Sequence, residues 1–283
     1  MEIGMNPDSG LNGLVQARYG TGGPDGATPP DAAETMLATL LGHRSVRRYT
    51  PERVSARALE LMLAAAQSAS TSSNLQTWSV VAVEGSESKE RLARLAGDQR
   101  HIRECPLFLV WLADLARLAA VGERRGLAHE GLDYLELMTV GVIDAALAAQ
   151  NAAVAAEALG LGLVYIGGMR NQPEAVAAEL GLPPRTVAVF GMCVGHPDPA
   201  WPTAVKPRLP PEAVLHRERY DSSANVKPTD QYVTTMSDFY AAQQMKTNGD
   251  WAEHSLQRVR GPEALQGRHR LGEALKRLGF PIR

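Results

Sequence analysis

One segment limits what this chain can fold into more than any other. Between residues 132 and 159, Leu135, Met138, Val142, Ala145, Ala149, Ala152, Ala156 and Leu159 recur at intervals of three and four, the spacing of one helical face. The remaining sides are mostly small or apolar, and the few polar positions include Asp144, Gln150, Asn151 and Glu157. That is too polar to cross a bilayer. The spacing predicts a buried central helix stopped by Gly160. Its alanines permit close backbone approach, which suits packing inside one subunit or between two.

The flanking sequence alternates helical with extended patterns. Helices are expected over 33–41 (ended by Gly42), 55–68 and 87–95, and strands over 78–83, 107–112, 163–166 and 186–194. Asn171 and Glu174 flank Pro173 as a helix start, and Gly181 ends that helix. Alternation of this kind suggests a parallel sheet. After Gly195, prolines at 197, 199, 202, 207, 210 and 211 make 196–215 extended, followed by helical stretches near 230–245 and 250–259 and a basic tail. Residues 1–31 hold 7 of the 26 glycines and 4 of the 18 prolines, the composition of a flexible arm. Leu11, Leu14 and Val15 allow one short docking helix within it.

Several chemistries are excluded. With 29 Lys plus Arg against 31 Asp plus Glu, no global positive field gathers nucleic acid or anionic membrane. Cys105 and Cys193 form no disulfide framework, and no signal peptide appears, so a soluble cytoplasmic protein is expected. No metal-ligand spacing occurs, and no phosphate loop, dinucleotide glycine motif or serine nucleophile elbow. Ser86 to Lys89 matches S-x-x-K, but the companion motifs are lacking: Phe239 follows Ser237 and Asp238, and Asn248 follows Lys246 and Thr247.

What is present is dispersed. His43, Arg44, Ser45, Arg47 and Arg48 crowd one turn, where guanidinium forks suit a phosphate dianion, although a basic turn is ordinarily solvated surface. Lys206 and Arg208 flank Pro207 on alternate positions of a stiff segment and point to one side if extended. Ser68 to Ser73, followed by Asn74 to Gln76, offers neutral donors for a sugar-phosphate chain or simply a capped turn. Gly167 and Gly168 at a strand end suit a flat ligand or a tight turn.

Taken in order, the strings GHRSVRRYTPE, SASTSSNLQ, AGDQRHI, GVIDAALAAQNAAVAAEALGLGLVYIGGMRN, VFGMCVGHP and KPRLP resemble those of the nitroreductase superfamily. The branch is that of the oxygen-insensitive NADPH nitroreductases and NADPH-flavin oxidoreductases, and the likeness runs from about Ala33 to the C-terminus. The resemblance implies an α+β fold with a mixed, mostly antiparallel central sheet flanked by helices, in an intertwined homodimer with FMN at the subunit interface. It divides the chain into an arm, 1–31, and an FMN-binding domain, 32–283, that includes a C-terminal helical extension.

The resemblance also implies site residues. His43, Arg44, Ser45 and Arg47, with Lys206 and Arg208, would hold the FMN phosphate, ribityl chain and adjoining ring edge. Ser70, Thr71 and Ser72 would lie along the cofactor, and Gln99 would bond the pyrimidine edge. Tyr165, Ile166, Gly167 and Gly168 would pass beside the isoalloxazine, with the Gly167 amide toward N5. The expected activity is ping-pong hydride transfer from NADPH or NADH through FMN to a nitroaromatic or quinone. No side chain is expected to act as catalytic acid, base or nucleophile, and no metal is expected. A flavin reductase releasing free reduced FMN and a non-catalytic flavin-binding sensor are the alternatives. Residues 240–251, YAAQQMKTNGDW, carry Lys246 as their only cation, where NADPH-preferring members place arginines, so both nucleotides stay open.

Overall fold

The apolar run beginning at Leu107 becomes a strand buried on both of its faces. The structure is a computed structural model that describes residues 11–19 and 31–283. The first elements are α1 (Leu11–Tyr19), α2 (Asp31–Leu41), α3 (Ala56–Gln67), β1 (Trp78–Val83), α4 (Ser86–Leu95) and α5 (Arg100–Glu104). There follow β2 (Leu107–Asp114), α6 (Ala116–Arg125), α7 (Leu135–Ala158), β3 (Gly162–Ile166), α8 (Pro173–Leu180) and β4 (Thr186–Gly195). The chain ends with α9 (Val226–Ala242), α10 (Trp251–Gln257) and α11 (Leu271–Arg277). It divides into two compact units, residues 45–202 with 265–283, and residues 1–44 with 203–264.

The larger unit contains a four-stranded sheet in the order β1-β2-β4-β3. Every strand pairing is antiparallel; among the described residues the parallel element is an isolated bridge from Ser45 to Leu163. The parallel sheet suggested by alternation is therefore corrected. A continuous apolar run reports burial on two faces and carries no information on strand direction.

Period-two alternation then assigns each strand residue to a core. Phe108, Val110 and Leu112 face Leu92 of α4, Ile102 of α5 and Val176 of α8. Leu107, Leu109 and Trp111 face Met62 and Ala66 of α3 and the α7 alanines 148, 149, 152, 153 and 156. Full burial of side chains as large as Phe108 or Leu92 contributes about 2 kcal/mol each. Between Trp111 and Leu112 the β2–β4 register shifts, leaving Val189 without an opposite residue on β2. This is a bulge.

The expected central helix is α7. By length and composition alone it could cross a membrane, but half of its most apolar window is buried inside the protein. At Gly141 a β-carbon would stand 3.0 Å from Ala113 and 3.3 Å from the Thr77 carbonyl, so the helix passes too close to the sheet there for a larger residue. Three elements departed from expectation. α6 and α5 were not anticipated, and part of the basic tail is α11. The helix start expected around Pro173 is found, with Glu174 in its first turn; Asn171 does not cap it, since Gln172 is the uncapped N-cap and the Asn171 amide donates to Gln266 at 3.4 Å.

The second unit gathers α1, α2, α9 and α10 with the extended segment after Pro202. Tyr232 of α9 is buried; its hydroxyl donates to the Pro207 carbonyl at 3.0 Å and its ring meets Trp251 edge-on at 5.0 Å. Asp250 and Glu253 form a capping box at the start of α10. Of the apolar positions expected to make a helix in the arm, Val15 is half-buried, while the Leu11 and Leu14 side chains lie outside the described residues, as do residues 1–10 and 20–30.

Candidate functional site

The two basic strips of the smaller unit are joined by a residue the sequence did not single out. Arg18, at the end of α1, is only 5% exposed. Its Nη1 donates to the Lys206 carbonyl at 2.9 Å, and its Nη2 to the carbonyls of Leu41 at 2.8 Å and His43 at 3.0 Å. In return the Arg208 amide donates to the Arg18 carbonyl at 2.8 Å. One guanidinium thus fixes the backbone of 41–43 beside that of 206–208. Pro207 is buried while Lys206 is half-exposed and Arg208 exposed, the alternation expected of an extended strip. Among the described residues no carboxylate pairs with Arg44 or Arg208.

In the larger unit, alternation also sorts the strip that follows. Val46 is 4% exposed, its amide bonded to the Leu163 carbonyl at 2.8 Å, which leaves Ser45 and Arg47 facing outward. Arg48 is consumed structurally, pairing with Glu104 at 3.2 Å and covering the Trp201 ring at 5.2 Å. Burial, and then the neighbouring charge of Arg47, hold the His101 imidazole below its usual range. Its Nε2 is buried without a hydrogen-bond partner.

The hydroxyl-rich strip is organised by Asp144, the polar interruption of α7. This buried carboxylate accepts from Thr71 Oγ1 at 2.6 Å, the Ser72 amide at 3.2 Å, the Thr77 amide at 3.0 Å and Thr77 Oγ1 at 2.9 Å. Thr71 Oγ1 also accepts from the Gln76 amide at 2.9 Å. The expected role of Thr71 changes accordingly: its hydroxyl shapes the loop, while Ser70 and Ser72 are exposed. Ser73, Asn74 and Gln76 have φ of 47°, 56° and 51°, left-handed values that side-chain-bearing residues adopt only when the surroundings impose them.

The end of β3 completes the arrangement. Ile166 is 2% exposed and joins the core under the sheet, so only its backbone is available to a ligand. Tyr165 donates to Gln150 Oε1 at 3.2 Å, lies edge-on to Phe190 at 5.3 Å, and has its phenol pushed upward by burial. The two glycines differ. A β-carbon on Gly168 would meet the Ala96 carbonyl at 2.5 Å and Gln99 Nε2 at 2.9 Å, whereas one on Gly167 would meet nothing nearer than 3.4 Å. Gln99 is held in that contact by donating to the Ala96 carbonyl at 2.8 Å.

A tight glycine packed on a fixed amide, beside a second glycine where a β-carbon would reach only ordinary contact distance, suits the edge of a flat heterocycle with amide-like groups. The exposed serines and the outward Arg47 suit a polyol and an electron-rich ring edge. In the other unit, the braced basic strips suit a phosphate. Taken unit by unit, the residues of the larger fit the ring and ribityl chain of FMN, and those of the smaller fit a phosphate group.

Comparison with known proteins gives the same direction. Residues 40–196 match the Nitroreductase family, and residues 206–283 match the Nitroreductase family, C-terminal domain. The chain is 38% identical over 248 residues to an FMN reductase (NADPH) of Bacillus subtilis, covering 86% of this chain and 97% of that protein. It is 37% identical over 244 residues to an oxygen-insensitive NADPH nitroreductase of Salmonella typhimurium, covering 85% and 98%. Among solved structures, the NADPH:FMN oxidoreductase of Vibrio harveyi complexed with NAD+ superposes with a TM-score of 0.78 at 34% identity, covering 88% of this chain and 99% of the other.

Proposed function

Because this chain belongs to the nitroreductase family, we propose that it is an FMN-dependent NAD(P)H oxidoreductase whose acceptors are nitroaromatics, quinones or free flavin. The observation that carries this reading is the Gly167–Gly168 turn with Gln99 packed against it, in a chain whose relatives are named as FMN reductase, NADPH-flavin oxidoreductase and NADPH nitroreductase. Bound FMN supplies a ring that accepts hydride from the nicotinamide and passes it on. The chain supplies position and charge.

From the larger unit we assign Gln99 and Arg47 to the pyrimidine edge, Ser45, Ser70 and Ser72 to the ribityl chain, and the backbone of Tyr165 to Gly168 to the ring. From the smaller unit we assign His43, Arg44, Lys206 and Arg208 to the phosphate. The purified protein is expected to be yellow and to bleach anaerobically on addition of NADPH or NADH. Arg208→Ala is expected to weaken FMN retention about 10- to 100-fold, the effect of losing one charge-assisted bond, measured by fluorescence of released flavin. Colourless wild-type protein that binds no added FMN refutes the reading. Steady-state rates with nitrofurazone, a quinone and free FMN rank the acceptors, and free FMN as the strongly preferred one identifies a flavin reductase.

The assembly we infer is a homodimer. Leu135, Ile143 and Leu147 of α7 are 53%, 51% and 43% exposed and leave apolar surface on a helix whose other side is buried. Ile143→Glu with Leu147→Glu is expected to convert a dimer to a monomer in light scattering after size exclusion; a wild-type monomer contradicts the inference. Two free buried thiols, Cys105 and Cys193, support placement in a reducing compartment, the cytoplasm.

A further inference from the structure

Arginines of the larger unit are usually neutralised. Arg48 pairs with Glu104, Arg91 with Glu179, Arg103 with Glu90, Arg117 with Asp114, Arg185 with Asp133 and Arg277 with Glu174. Arg170 and Arg268 break this pattern side by side. Arg170 closes the turn after β3 and donates to the Val189 carbonyl, at the bulge where Val189 has no opposite residue on β2 and beyond the last β3 partner, Gly191. Arg268 donates through Nε to the Leu265 carbonyl at 3.0 Å. Both acceptors are neutral, and among the described residues neither arginine has a carboxylate at ion-pair distance.

The two guanidinium groups converge on one place. From the point a β-carbon on Gly167 would occupy, Arg170 Nη2 lies 3.4 Å away and Arg268 Nη1 3.8 Å. Burial, followed by the charge of Arg268, pulls the Arg170 pKa down, yet a guanidinium stays protonated under such pressure. The fold therefore holds two adjacent, part-buried, uncompensated cations beside Gly167. Mutual repulsion of this kind is relieved by an oxyanion that accepts from both forks at once.

We propose that Arg170 and Arg268 form a subsite for an oxyanionic group, a phosphate, sulfonate or carboxylate, carried by a molecule that docks beside Gly167 once the flavin is bound. The proposal rests on the oxidoreductase reading only for the identity of that molecule. Its anion comes from the pyridine nucleotide, whose 2′-phosphate distinguishes NADPH from NADH, or from an anionic acceptor. The first source gives a chain with Lys246 as its lone cation in 240–251 another means of preferring NADPH.

The test uses the flavin-loaded protein. Calorimetric titration with sodium sulfate at low ionic strength is expected to show saturable binding that weakens tenfold or more in Arg268→Gln and in Arg170→Gln. The Arg268 variant is decisive, since Arg170 also tethers Val189. Sulfate that competes with NADPH but not NADH identifies the 2′-phosphate as the source. Sulfate that competes with 1,4-naphthoquinone-2-sulfonate but not with 1,4-naphthoquinone identifies an anionic acceptor; both support the subsite. Absence of saturable sulfate binding, or equal binding by Arg268→Gln, overturns it, even if the yellow protein still oxidises NADPH with a neutral quinone. Colourless protein whose sulfate affinity depends on Arg268 keeps the subsite and refutes the oxidoreductase reading instead.

Discussion

Asp144→Ala is expected to lower unfolding stability by about 4 kcal/mol, as a shift of the urea midpoint at unchanged slope, because a buried acceptor of four hydrogen bonds vanishes and its donors are stranded. The donors are the Thr71 and Thr77 hydroxyls and the Ser72 and Thr77 amides, and Thr77 is fully buried, so its two donors are left without solvent. Asp144→Asn retains one acceptor oxygen and should recover roughly half of the loss. The same change releases the left-handed residues Ser73, Asn74 and Gln76, so FMN retention should fall even where the protein is fully folded. A loss below about 1 kcal/mol in the alanine variant contradicts the role given to Asp144.

The second large effect separates two adjacent glycines. In Gly168→Ala the new methyl lies 2.5 Å from the backbone oxygen of Ala96. Backbone cannot swing aside as a side chain does, so the 96–99 turn must shift, costing about 1–3 kcal/mol and displacing Gln99. A displacement near 1 Å at a ring-positioning amide lowers turnover on the order of 100-fold. Gly167→Ala has 3.4 Å of clearance within the protein; it should melt like wild type and yet retain flavin poorly, because its methyl occupies the ligand's side. Thermal denaturation together with flavin content distinguishes the two. Equal flavin retention by Gly167→Ala and wild type would remove the case for a ring at that surface.

What the sequence made legible was local. The strands at 78–83 and 163–166, the α7 periodicity and the left-handed stop at Gly181, φ 63°, each follow from neighbouring residues. Around the candidate site the residue types were legible, and Ser45 and Arg47 face outward around buried Val46, but their ligand was not. Strand direction was not legible, because β1 reaches its antiparallel neighbour β2 through two helices, the connection expected between parallel strands. α6 was hidden by Gly122 in its middle, which looks like a breaker but is needed where the His129 ring would stand 2.6 Å from a β-carbon. Asp144 and Arg18 were missed for a common reason. Each acts on segments far away in sequence, and a single polar residue in an apolar or glycine-rich stretch signals its isolation without naming its partners.

Arg18 also bears on the order in which the chain comes together. Among the described residues, its acceptors Leu41 and His43 emerge soon after it during synthesis, but the Lys206 carbonyl lies 188 residues downstream. Until that carbonyl is made, α1 has an incomplete seat and its guanidinium stays in water. Helix α1 is thus among the last described elements to complete its contacts, and a chain stalled before residue 206 lacks one of the bonds that seat it.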